Sequence, residues 1–238
     1  MPEQHSGALL SISDLNAYYG ESHILHGANL SVGRGELVTL LGRNGAGKTT
    51  ILKSIMGLVG RRTGSVTVHG KETIRMPSHR IARLGIGYCP EERGIFSSLS
   101  VEENLMLPPK VKDGGMSLEE IYAMFPNLLQ RKSSVGTKLS GGEQQMLAMA
   151  RILRTGADLL LLDEVTEGLA PVIVQAIGRL IVQLKERGFT MVLVEQNFHF
   201  AAELADRHYI VEHGRIVDMV GRDEVASRKD VFAKYLGV

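Results

Sequence analysis

Tryptophan is absent from the 238 residues, and cysteine occurs once, as Cys89. One thiol closes no internal disulfide and rules out a cysteine-rich metal centre. In a strand-like stretch it reads as a small core residue. No uninterrupted apolar run exceeds five residues, Met146–Ala150 being one of that length, where ~20 are needed to span a bilayer. The first ten residues, MPEQHSGALL, carry neither a basic nor an apolar stretch, so no secretory leader is expected. An excess of one charge is also lacking: 27 Lys and Arg stand against 26 Asp and Glu, a net charge of +1. That balance gives no bulk-charge hold on nucleic acid, and no nucleic-acid partner is expected. Nor is there a repeat or a low-complexity tract. What is present is 44% apolar residues, enough for a core, in a chain of one to two domain lengths. A soluble, cytoplasmic α/β protein is the resulting expectation.

Short apolar runs alternate with helical patterns. Residues 36–41 (ELVTLL) read as a strand, and 158–162 (DLLLL) and 190–194 (TMVLV) as strands buried on both faces. Residues 49–56 read as a helix stopped by Gly57. Residues 171–187 read as another, opened by Pro171, ended by Gly188 and carrying Ile173, Ile177, Leu180, Ile181 and Leu184 on one face. Strand-helix-strand alternation implies a parallel sheet with crossover helices. Two stretches break the pattern. Residues of about 7–35 and 64–75 look like short strands with turns, a small antiparallel sheet. Residues of about 94–154 carry three helix starts of the form Ser-x-x-Glu, at Ser100, Ser117 and Ser140, and read as a helical subdomain inserted into the core.

Between the first strand and first helix lies Gly42-Arg43-Asn44-Gly45-Ala46-Gly47-Lys48-Thr49, followed by Thr50. It fits the phosphate-loop pattern in its strand-loop-helix context. Glycines let successive N–H groups turn inward at an anion, and the helix N-terminus adds partial positive charge. Lys48 supplies a point charge for the β- and γ-phosphates of a nucleotide, and the Thr49 hydroxyl is placed to ligate Mg²⁺. Such a metal needs a carboxylate at the end of a buried strand, which Asp163 supplies. Glu164, one residue on, faces the γ-phosphate side and is the candidate to polarise water.

Leu139-Ser140-Gly141-Gly142-Glu143-Gln144-Gln145 then supplies a second anion-binding helix start. With the phosphate loop and the Asp163-Glu164 pair, in this order, it resembles the signature of the ABC-type (ATP-binding cassette) ATPases over essentially the whole chain. The resemblance implies an α/β P-loop NTPase, one ABC ATPase domain over residues 1–238. Its expected parts are a RecA-like core, a small antiparallel β subdomain and the helical insertion. It implies a head-to-tail dimer in which Ser140, Gly141, Gly142 and Glu143 act on ATP held by the partner. It also implies an adenine-stacking aromatic, for which Tyr19 in Tyr18-Tyr19-Gly20 is favoured.

Several positions depart from the commonest ABC pattern. Glu91 stands where a glutamine is usual, Gln196 where a histidine is usual, and Ala170 where an aspartate is usual. A carboxylate at 91 is a good Mg²⁺ ligand, and the Gln196 amide can donate to a γ-phosphate. Pro90-Glu91, Glu167-Gly-Leu-Ala-Pro171 and Val194-Glu-Gln-Asn197 together resemble the F-subunit ATPase of Liv-type importers of leucine, isoleucine and valine. Val165 departs from that subfamily's usual proline. The expected activity is ATP hydrolysis coupled to uptake of a small amino acid, with a related importer of amides, urea or aromatic acids as the alternative. A non-hydrolysing ATP-binding regulator is the other. Exporters of lipid or polysaccharide more often keep the glutamine and histidine replaced here. The implied partners are transmembrane permease subunits, a second, G-type ATPase and a periplasmic or extracellular solute-binding protein. The implied location is peripheral, at the cytoplasmic face of the inner (plasma) membrane.

Overall fold

The computed structural model describes residues 7–237, so residues 1–6 of the stretch read for a leader lie outside it. Elements are numbered in chain order. The polar-and-apolar alternation near the N-terminus forms an antiparallel sheet of Ala8–Tyr19 (β1), Ser22–Gly33 (β2), Arg61–Val68 (β4) and Lys71–Glu72 (β5), in the order β2-β1-β4-β5. The continuous apolar runs form a second sheet. Its strands are Leu37–Leu41 (β3), Ile86–Cys89 (β6), Leu159–Asp163 (β7), Thr190–Glu195 (β8), Arg207–Glu212 (β9) and Arg215–Gly221 (β10). The order is β10-β9-β3-β8-β7-β6, parallel except for the β9–β10 edge pair.

Every residue of β3, β7 and β8 is buried, because this sheet is covered on both faces. Successive residues serve opposite sides. Val192 and Val194 of β8 join the core shared with β1, β2, β4 and the helix Lys48–Ile55 (α1). Met191 and Leu193 join the core shared with the helical insertion and with Pro171–Glu186 (α7). Ser78–Ala82 (α2) leads into β6. The insertion holds Val101–Met106 (α3), Leu118–Met124 (α4), Pro126–Gln130 (α5) and Gly141–Leu153 (α6), with no named strand among them. Ser100, Ser117 and Ser140 each close a capping box with the glutamate three residues on. Phe198–Leu204 (α8) and Lys229–Leu236 (α9) pack on the β9–β10 end, where Phe232 and Ile210 share a third core. No described helix is long and apolar enough to cross a membrane.

His208 of β9 is buried in that end of the sheet. Its Nδ1 lies 2.7 Å from the Thr39 hydroxyl, and Nε2 has no hydrogen-bond partner among the described residues. A proton on Nε2 would add a donor without an acceptor. Burial, helped by the Arg222 charge and opposed by Asp206, pushes the imidazole pKa down to about 4. The unfolded chain therefore binds the proton more readily. The contribution of neutral His208 is fully present above pH ~6.5 and is lost as pH falls toward ~4, about 3 kcal/mol across the window. His208→Asn keeps a polar partner for Thr39 and cannot titrate. Its Tm should fall less steeply than that of the wild type between pH 6.5 and 4; identical slopes would contradict this account of His208.

Candidate active site

Parallel register brings four strand ends to one edge. Leu41 of β3 lies opposite Glu195 of β8, Val194 opposite Asp163 of β7, and Leu162 opposite Cys89 of β6. The chain then leaves these strands into the phosphate loop, Gln196, Glu164 and Glu91. Residues just beyond the carboxyl ends of a parallel sheet form its natural crevice. Here a cleft of about 440 Å³ is lined by Tyr19, Ile24, residues 44–50, Glu91, Glu164, Glu167 and Gln196.

The loop is shaped by backbone needs. A Cβ on Gly42 would collide with the Val211 carbonyl oxygen of β9. Gly47, at the N-cap of α1, has φ +108°, which side chains rarely adopt. No acidic residue occupies the first turn of α1, so its partial positive charge is not offset from within the helix. Lys48 is 4% exposed and donates to the Gly42 oxygen at 2.8 Å and the Arg43 oxygen at 3.3 Å. Its Nζ also lies 3.4 Å from Glu164 Oε1. The ammonium is thus held at the loop, on the cleft side where an anion would meet it.

Asp163 is fully buried. The Thr49 hydroxyl donates to its Oδ1 at 2.9 Å and the Tyr88 hydroxyl to its Oδ2 at 3.0 Å. Burial pushes the Asp163 carboxyl above its ordinary range, and the charges of Glu164 and Glu91 add to this. The two hydroxyl bonds oppose it without cancelling it. A buried carboxylate with hydroxyl partners and, among the described residues, no paired cation suits a hard divalent ion. The Thr49 hydroxyl, Asp163 and Glu91 are all oxygen donors of the kind Mg²⁺ takes, so the residues present can hold it.

Glu164 sits at φ +47°, a turn that aims its side chain back over the loop. Its Oε2 accepts from Gln196 Nε2 at 2.7 Å. Burial disfavours its charge, yet hydrogen bonds with Glu167 and Gln196 and the Lys48 ammonium outweigh that and hold the carboxyl below its usual range. Glu167 takes the opposite course. Its hydrogen bond with Glu164, then burial and the charges of Glu164 and Glu91, push it up to about 7. Ligand oxygens of Glu91, Glu164 and Glu167 lie within 4.8 Å of one another. This edge can hold an ionised base beside a proton-bearing neighbour, the division that acid–base chemistry uses.

Most residues named from the sequence line the cleft; the rest have definite places too. Gly42 and Arg43 do not line it; their carbonyl oxygens accept from Lys48. The two tyrosines part company. Tyr18 stacks on His23 at 4.2 Å and under the Arg61 guanidinium at 4.3 Å, whereas Tyr19 is 47% exposed and lines the cleft. Gln196 is free of capping duty, because Asn197 caps α8 by accepting from the Phe200 amide at 3.2 Å. The signature residues are not brought here. None of residues 140–143 lines the cleft; Ser140 is exposed at the start of α6. Tyr88, Glu167 and the Thr166–Glu195 pair (2.9 Å) were not foreseen. Glu195 is 3% exposed, and burial raises its pKa to about 7. The spacing Glu164-x-x-Glu167 was the one available signal, since three residues along a turn return a side chain to the same side.

A family model described as ABC transporter matches residues 25–167, more than half the chain. The chain belongs to the ATP-binding subunits of ABC transporters. A high-affinity branched-chain amino acid transport ATP-binding protein, BraG of Pseudomonas aeruginosa, is 43% identical over 88% of this cassette and 91% of its own length. A probable branched-chain amino acid transport ATP-binding protein, LivF of Archaeoglobus fulgidus, is 39% identical over 87% and 90%. The lipopolysaccharide export system ATP-binding protein LptB of Escherichia coli K12 is 33% identical over 97% and 98%. A solved ATP-binding subunit of an ABC transporter superposes with a TM-score of 0.79 at 27% identity, over 96% of both chains. A dimeric cassette bound to ADP and Pi does so at 0.78 and 24% identity, over 90% and 98%. The cassette is therefore an ATPase subunit with the ABC fold.

If Tyr19 stacks on adenine, Tyr19→Ala should weaken ATP binding by ~1–3 kcal/mol and leave the melting temperature nearly unchanged. Tyr18→Ala should do the reverse, because Tyr18 is engaged within its own sheet. Isothermal titration with ATP and thermal melts of both variants check this; equal loss of affinity in the two would remove Tyr19 from the site.

Proposed function

We propose that this cassette is the F-type ATPase of an importer for branched-chain amino acids. It works at the cytoplasmic face of the inner membrane with permease subunits, a G-type ATPase and a solute-binding protein. Glu91 and Gln196 carry this reading. They stand where exporters of lipid or polysaccharide more often keep a glutamine and a histidine, and both line the phosphate cleft, Gln196 bonded to Glu164. The printed functions of the BraG and LivF relatives support the same choice. LptB, at lower identity, is the reason that transport direction needs a direct test.

In this reading Tyr19 stacks on adenine and the loop amides cradle the phosphates. Lys48 holds the β- and γ-phosphates. Thr49, Asp163 and Glu91 would hold Mg²⁺, which when bound would offset phosphate charge. Glu164 orients the attacking water and accepts its proton, while Gln196 donates to the γ-phosphate. Lys48 now contacts Glu164, so a γ-phosphate competes with that carboxylate for the ammonium and frees it for water. Ser140 to Glu143 lie outside this chain's cleft and, in this reading, act on the nucleotide of a head-to-tail partner, as the family resemblance implies.

The test is a proteoliposome holding the cassette with its permease and binding proteins. ATP should drive uptake of leucine, isoleucine or valine. Glu164→Gln should retain ATP binding and lower both turnover and uptake by about 10²–10⁴. Turnover within threefold of wild type in Glu164→Gln would remove that residue from catalysis. Full ATPase activity with no amino-acid uptake would overturn the importer assignment.

A further inference from the structure

Two residues beyond Glu91 the chain turns away from the cleft. Arg93 has φ +65°, a conformation costly for a side chain, and its amide donates to the Pro90 oxygen at 3.0 Å. The turn delivers its guanidinium to the start of α6. Nη1 donates to Gln144 Oε1 at 2.9 Å, and a Cβ on Gly141 would lie 3.2 Å from Nη2. The seat is built on both sides. The Gln144 amide nitrogen is anchored on the Gly136 and Leu139 oxygens, each at 3.2 Å, which turns its oxygen toward Arg93. The following loop is clamped to the insertion by the buried Asn104, which bonds the Phe96 amide at 2.8 Å and its oxygen at 2.9 Å.

Charge does not explain this placement within one chain. A helix N-terminus is already positive, so a cation against it is electrostatically uphill. Glu143, the one acid in the first turn of α6, is engaged by the Ser140 amide at 2.7 Å and by Arg131 Nε at 3.2 Å. Among the described residues no carboxylate pairs with Arg93, which is held by a neutral amide instead. A strained backbone thus presents an uncompensated cation beside the exposed Ser140.

We propose that Arg93 is a contact residue for the phosphates of the nucleotide held by the partner cassette, adding a guanidinium to the signature's Ser140 and backbone donors. The proposal rests on the head-to-tail pairing described above. ATP with Mg²⁺ keeps a net negative charge, and a planar guanidinium matches phosphate oxygens with two donors at once. Nη2, unbonded among the described residues, is the donor nearest Gly141 at the helix start. The same loop then carries Glu91 into its own chain's cleft and Arg93 toward the partner's.

The test uses the full chain at concentrations where ATP drives pairing of Glu164→Gln. Arg93→Ala, Arg93→Lys, Gln144→Ala and Ser140→Arg are compared for ATP affinity of the unpaired chain, ATP-driven pairing and turnover. Arg93→Ala should keep ATP affinity within twofold while pairing and turnover fall roughly tenfold to a hundredfold, a loss of the size seen for transition-state donors. Its pairing should depend less on salt than the wild type's, and millimolar guanidinium ion should restore part of the turnover. Arg93→Lys, which keeps the charge, should lie between the two. Gln144→Ala, which keeps the cation and loses its brace, should cost less than Arg93→Ala. Turnover and pairing of Arg93→Ala within twofold of wild type, while Ser140→Arg blocks pairing, would overturn the proposal and leave the head-to-tail reading standing. Equal losses in Arg93→Ala and Gln144→Ala, with no change in salt dependence and no rescue, would reduce Arg93 to a brace and overturn it too. Undisturbed pairing in Ser140→Arg would overturn the head-to-tail reading and the Arg93 contact together.

Discussion

The Thr49 hydroxyl donates to Asp163 across 2.9 Å, and this bond ties the phosphate loop to the end of β7. Its two partners are 114 positions apart, so only the sheet can bring them together. Leu41 ends β3 and Asp163 ends β7, with β8 between them, and parallel register sets all three ends level. The bond stands because the sheet is covered on both faces: a carboxylate at the end of a fully buried strand loses water and takes the Thr49 and Tyr88 hydroxyls in its place. A strand slipped by one residue would turn Asp163 to the other face of the sheet. Everything else at the site inherits this alignment, Glu164 following Asp163, Gln196 following β8 and Glu91 following β6.

Charge gives the site its working asymmetry. Glu91, Glu164 and Glu167 crowd one edge while Lys48 is the cation bonded there. Glu164 keeps its charge through Lys48 and the Gln196 amide, and Glu167 absorbs the repulsion by holding a proton up to about 7. A histidine at position 196 would add a titrating group with a pKa near ~6.5; the amide donates at any pH near neutrality. The donor to Glu164 is in that sense constant, and the protonation of the edge is left to the carboxylates.

The sequence was most legible where local chemistry alone decides. Three Ser-x-x-Glu spacings became three capping boxes, because each bond pair closes within four residues. Runs such as Leu159–Leu162 became central strands, because only a doubly covered sheet accepts them. The phosphate loop announced itself through its glycines, and Gly42 faces a backbone oxygen that admits no side chain. Less legible were contacts set by register between distant strands. Nothing local to Tyr88 points to Asp163; the pairing of β6 with β7 carries its hydroxyl there. Nothing within the loop predicts that the Arg93 guanidinium meets Gly141 and Gln144. Tyr19 is favoured over Tyr18 by the sequence; the structure adds that Tyr18 stacks on His23 across the β1–β2 hairpin. The F-subunit likeness was legible as family resemblance, and the 43% identity to BraG agrees with it.

We propose that Asp163, buried at a strand end and tied to Thr49, would hold the metal of ATP. The most direct measurement compares ATP affinity with Mg²⁺ and with chelator in the wild type and in Asp163→Asn. The account predicts that Mg²⁺ tightens wild-type binding by roughly tenfold or more, about 1.4 kcal/mol. It predicts that Asp163→Asn loses this increment while its metal-free affinity stays within twofold of wild type. An undiminished Mg²⁺ increment in Asp163→Asn would contradict the claim.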